Sequence, residues 1–137
     1  MAIRKVAFIV DKPPHKTETS RLALTHAIAS QSVEIYLKDG DNVQPFLGFI
    51  GDGVLNCLKN QKTFDVYNVT SLETHIQNAL LLDLNVYVCK EDMEKFGLTE
   101  DSIVMDAEHL GGELKTQIVP YAEIQKAIEE ADHLMFF

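Results

Sequence analysis

Short apolar runs rich in β-branched and aromatic residues recur along this chain, and segments with helical spacing separate them. Arg4–Val10 (RKVAFIV), Phe46–Gly51 (FLGFIG) and Leu84–Val88 are apolar at nearly every position rather than at every second one. A strand with that composition is covered on both faces, as in a parallel sheet flanked by helices. Between the runs, Thr17 or Thr19 can cap a helix carrying Leu22, Leu24, Ala27 and Ile28. Thr70-Ser71-Leu72-Glu73 has capping-box spacing and opens a helix with Leu72, Ile76, Ala79, Leu80 and Leu82. Glu91–Phe96 predicts a short helix, acidic at its start and followed by Gly97. Thr116–Val119 predicts a strand, Pro120 the start of a helix over Tyr121–Ala131, and His133–Phe137 a terminal strand. Strands alternating with helices predict an α/β fold: an open, mostly parallel sheet with helices on both faces.

The remaining segments carry less signal. Asp52-Gly53 ends the second run, Val54–Asn60 predicts a short helix, and Thr63–Val69 a short extended piece. Val33, Ile35 and Leu37 alternate like a strand, yet Ile35 also continues the helical face of Leu24 and Ile28, so residues 32–45 stay open. No repeat or linker interrupts the chain. Its 137 residues, 46% hydrophobic, suffice for a single domain over residues 1–137.

A formal net charge of −9 opposes binding to phosphate backbones and anionic lipid, which argues against nucleic-acid and membrane-surface partners. No apolar stretch approaches the roughly 20 residues of a membrane helix, and no secretory leader is legible. The expectation is a cytoplasmic protein with reduced Cys57 and Cys89. Neither cysteine belongs to a Cys-x-x-Cys pair and no Cys/His cluster has zinc spacing, so no metal is expected. Asp39-x-Asp41 begins like a calcium loop but lacks the later ligands. The loop after the first run lacks the glycines that cradle a nucleotide phosphate, so no cofactor is expected either.

Sites in open α/β sheets form at the carboxyl ends of strands, which selects the loops Asp11–Glu18, Asp52-Gly53, Cys89-Lys90 and Gly111–Lys115. Lys12, His15 and Lys16 of the first loop could attract an anionic group. Asp52 lacks the second acidic residue and the late lysine of a phospho-accepting receiver, so it reads as a turn. Cys89 stands at a strand end and a helix start, where unpaired N–H groups, the positive end of the helix dipole and Lys90 would lower a thiol pKa. Glu91 and Asp92 oppose that shift. The alternative is an ordinary half-buried cysteine. Cys57, with Leu55 and Leu58 nearby, reads as core.

Several of these segments occur together in one known family. Lys5–Val10 followed by Pro14-His15-Lys16-Thr17, Phe49-Ile50-Gly51-Asp52-Gly53-Val54, Val86–Lys90 leading to Gly97-Leu98-Thr99, and the ending Ala131–Phe137 resemble, in order and spacing, the DsrE/DsrF-like sulfur-relay proteins, nearest the DsrF/TusC branch. The resemblance covers almost the whole chain. It implies a flavodoxin-like fold without flavin, and a cytoplasmic oligomer made with itself or with related DsrE- and DsrH-like subunits. It also implies sulfur donor and acceptor proteins as partners. By the same resemblance Cys89 is the sulfurtransferase-like residue, accepting sulfur as a persulfide, with Lys90, His15, Lys12 and Asp52 as candidate substrate-binding residues. Lys16 stands where the family has glycine, and Lys90-Glu91-Asp92 stands where the sulfur-accepting branch has small apolar residues. Some DsrF-type subunits lack the cysteine, so the alternative is a non-catalytic structural or regulatory subunit.

Overall fold

A computed structural model describes residues 3–14, 18–32 and 42–137. Each apolar run forms a strand: β1 (Ile3–Val10), β2 (Asn42–Phe49) and β3 (Asn85–Cys89), joined by β4 (Gln117–Val119) and β5 (His133–Phe136). All strand pairings within the sheet are parallel and its order is β4-β3-β2-β1-β5. Helices α1 (Thr19–Ser32), α2 (Thr63–Tyr67), α3 (Leu72–Leu81), α4 (Lys90–Lys95) and α5 (Tyr121–Glu130) fill the connections, with a 3₁₀ helix over Gly51–Cys57. The expected α/β architecture is therefore what forms. Among the described residues no helix is long and apolar enough to cross a membrane.

The register explains which side chains meet. Alternation along parallel strands sends Val6, Phe8 and Val10 to one face and Ala7 and Ile9 to the other. Helices α1 and α3 pack against each other and against β1, β2 and β3, burying Ala23, Leu24, Ala27, Ile76, Ala79 and Leu80. Helix α5 covers the opposite face through Ile124, whose Cγ2 lies 3.5 Å from where a Cβ on Gly48 would stand. Pro45 sits inside β2, but β2 picks up β3 only from Phe46 onward, so its missing N–H falls where β2 has a single neighbour. On the far edge, every residue of β5 is exposed, Leu134, Met135 and Phe136 among them.

Three local expectations change. Thr63–Tyr67 is a helical turn rather than an extended piece, closed by Asn68 in the left-handed region at φ 57 with its N–H on the Phe64 carbonyl. Phe64, Val66 and Tyr67 are all exposed there, so these apolar residues form no buried strand face. The cap of α3 is Ser71, not Thr70: Ser71 Oγ accepts from the Glu73 N–H at 3.1 Å, and the Glu73 carboxylate turns to the Gln61 N–H. Leu22 and Leu82, expected on buried helix faces, are exposed. Of the open segment 32–45, Ser32 ends α1 and Asn42–Pro45 open β2, while residues 33–41 lie outside the described residues.

Candidate functional site

Connections β1→β2→β3→β4 step one way across the sheet, and β4→β5 returns past β1. Right-handed crossovers then send successive helices to one face and the last helix to the other. Strands β3 and β4 are neighbours whose chains part at their carboxyl ends, β3 into α4 and β4 through Pro120 into α5. Such a parting opens the crevice where α/β domains place their chemistry. Cys89 pairs with Val119 at that point.

The sulfur is buried, with Cys89 only 1% exposed. Its Sγ–H points to Glu91 Oε1 at 3.7 Å, and the same oxygen accepts the Tyr121 N–H at 2.9 Å, so Glu91 ties the end of β3 to the start of α5. Asp92 Oδ2 accepts the Gly51 N–H at 2.7 Å and ties α4 to the end of β2. Desolvation by burial pushes the thiol up to about 11; the Asp92 N–H works against this, while the carboxylates of Asp92 and Glu91 add to it. Glu91 is held below the usual carboxylate range, first by the Tyr121 N–H. The expected lowering of the thiol pKa is thus reversed. Helix α4 has only six residues and its first turn carries two acids, so the positive end of the helix is already answered by side chains.

The other candidates scatter around this end of the sheet. Lys90 is exposed and, with Glu94, Glu100 and Ile118, lines a hollow of about 330 Å³ beside α4. It is not among the charges that act on the thiol, contrary to expectation. Lys12 pairs with Asp11 and lies 5.9 Å from the Phe136 ring centre, at the end of β1. Asp52 is exposed in the turn after β2. His15 and Lys16 lie outside the described residues. Gly111–Lys115 proves to precede β4, with Gly112 against Leu81 at the end of α3, which removes that loop from the carboxyl side. Cys57 is fully buried and its thiol is pushed up by desolvation, as a core position requires.

Two residues that hold this end of the sheet together had no sequence signal. Tyr121 meets Glu91 across 30 residues of chain, and only the order of β3 and β4 brings them together. Asn56 is fully buried, and its Nδ2 donates to the carbonyls of Lys12 and Gly53, which fixes the loop after β1 against the turn after β2. Gly53 makes that contact possible: a Cβ there would stand 2.0 Å from the Val10 carbonyl oxygen. Among the described residues no group of three acids, histidines or cysteines could hold a metal ion.

The chain belongs to the DsrE/DsrF-like family, which it matches over residues 4–137. It is 24% identical over 139 residues to the protein TusC homolog of Aliivibrio fischeri, covering 98% of this chain and all of that one. Its fold is similar to that of the ychN protein from E. coli, with a TM-score of 0.72 at 17% identity over 98% of this chain and 99% of that one. A conserved protein of unknown function from Bacteroides thetaiotaomicron is more distant, with a TM-score of 0.55 at 13% identity over 97% and 94% of the two chains.

Proposed function

We propose that this chain is a single DsrE/DsrF-like domain serving as a subunit of a cytoplasmic sulfur relay, assembled with itself or with DsrE- and DsrH-like subunits. In this reading Cys89 carries the sulfur. Its thiolate attacks the outer sulfur of a donor persulfide, the donor thiolate leaves, and Cys89–S–SH forms. An acceptor thiolate then attacks the terminal sulfur and Cys89 leaves as thiolate, so each transfer forms one S–S bond and breaks one. What supports the reading is the position of Cys89, at the strand end where the sheet opens, in a chain of this family. Lys90, Lys12 and Asp52 lie toward the carboxyl ends of the strands and, together with His15, would meet the donor.

A second reading has its own observation. A thiol that is 1% exposed, bonded to a carboxylate and pushed up to about 11, is a poor nucleophile at neutral pH. That favours an assembly subunit in which Cys89 is incidental. Incubating wild type and Cys89→Ser with a small-molecule persulfide and weighing the intact proteins separates the two. The carrier reading expects one added sulfur on wild type and none on the variant. Equal gain in both, or gain in neither, leaves the assembly reading.

A further inference from the structure

We infer that a cavity at the end of the sheet remote from Cys89 binds a small zwitterion of the α-amino-acid type. The cavity measures about 150 Å³ and lies between the amino-terminal halves of β1, β2 and β3 and the last turn of α5. Its walls are Lys5, Gln44, Phe46 and Asn85 with Tyr87 and Glu130, beside Pro45 and Ala127. Pairing sets Lys5 beside Gln44 and Phe46 beside Asn85, so these side chains share the face that α5 covers. Cys89 lies four residues beyond Asn85 on β3, about 13 Å along the strand, so this inference is independent of sulfur transfer.

Three observations point to a ligand. First, the polar side chains here are unmatched. Among the described residues, the Lys5 ammonium, the Glu130 carboxylate, the Gln44 and Asn85 amides and the Tyr87 hydroxyl have no hydrogen-bond or ion-pair partner. Lys5, Gln44 and Glu130 are exposed and Asn85 and Tyr87 half-buried, so these groups reach the cavity and a ligand can take the place of water there. Second, the walls are fixed in advance. The Lys5 N–H donates to Asp132 Oδ2 at 2.8 Å and the Asp132 N–H returns to the Lys5 carbonyl at 2.9 Å, which locks β1 to the end of α5. The Phe46 and Tyr87 rings meet edge to face at 5.6 Å, so the floor does not collapse into the space.

Third, the lining chemistry selects one class. One cation and one anion face the same space, so a ligand bearing both signs leaves neither charge unanswered. A phosphate or a nucleotide would set Glu130 against it in a chain of net charge −9. The volume is below the roughly 300–1,000 Å³ of drug-sized sites and suits a molecule of about ten heavy atoms. The ligand's carboxylate meets Lys5 and the amide N–H groups, its ammonium meets Glu130, and its side chain lies on Phe46 and Ala127.

The test is a titration of ¹⁵N-labelled full chain with L-leucine, L-methionine and L-glutamine, each to 10 mM, followed by amide chemical shifts. Saturable shifts are expected at Lys5, Gln44, Phe46, Asn85 and Tyr87 with at least one of the three. The amine-only and acid-only analogues of the best of them should bind at least tenfold more weakly. Lys5→Met and Glu130→Gln, both at exposed positions, should each weaken binding at least fivefold without moving Tm. Absence of saturable shifts with all three overturns the inference. So do shifts confined to other residues, analogues that bind as well as the amino acid, or charge variants that bind as tightly as wild type.

Discussion

Alkylation of Cys89 by iodoacetamide should be slow and should speed up only at strongly alkaline pH. At pH 7 a thiol near 11 leaves about one thiolate in 10⁴, against about 3% for an ordinary thiol near 8.5, a difference of roughly 300-fold. A more basic thiolate is the better nucleophile, and a Brønsted slope of about 0.45 over 2.5 pH units returns about 13-fold. The net expectation is a rate about 20-fold below that of an unstructured cysteine, and lower still because the sulfur is 1% exposed. Site-resolved mass spectrometry of quenched time points between pH 7 and pH 11, with circular dichroism as a check that the fold persists, gives the rate of each cysteine separately. Cys57 should stay unmodified throughout. Glu91→Gln should raise the Cys89 rate by less than tenfold, because burial and not Glu91 is the largest cause of the shift. A titration midpoint at or below about 8.5 would refute the reasoning, since it requires a sulfur open to water or a cation beside it.

Two further outcomes follow from the same structure. Gly53→Ala should cost about 3 kcal/mol or more in urea unfolding, because its Cβ would meet the Val10 carbonyl oxygen at 2.0 Å and the atoms around it are backbone that cannot turn aside; an unchanged midpoint would overturn the argument that this contact joins the ends of β1 and β2. The folded thiol of Cys89 lies above its unfolded value, so its contribution is complete below about pH 8.5 and is lost as pH rises toward about 11. Wild type should therefore lose more stability than Cys89→Ser over that interval, and parallel losses would show that the thiol does not titrate differently on folding.

Strands β1 and β2 were legible because their carboxyl-terminal halves are buried on both faces, whereas in β3 burial alternates, with Asn85 and Tyr87 only partly covered. Helix α3 was legible from its period and α4 from its punctuation, with Gly97 in the left-handed region at φ 70 where the sequence called for it. The site was legible only as far as Cys89. Its electrostatics depend on burial and on a carboxylate held by Tyr121, and both are set by which strand lies beside β3, a fact no local pattern carries. Gly111–Lys115 is a different case: it precedes the strand at Thr116–Val119, so chain order alone puts it at that strand's amino end, away from the carboxyl side.

Glu91 Oε1 serves two donors at once, the Cys89 thiol and the first N–H of α5. A substituent without an acidic hydrogen leaves no proton to place on that oxygen, and a protonated persulfide would offer its proton one atom further out. The carboxylate must then turn to water or to Tyr121 alone, and the grip on α5 changes with it. What is attached to the sulfur and how firmly α5 is held at its start are therefore one variable rather than two.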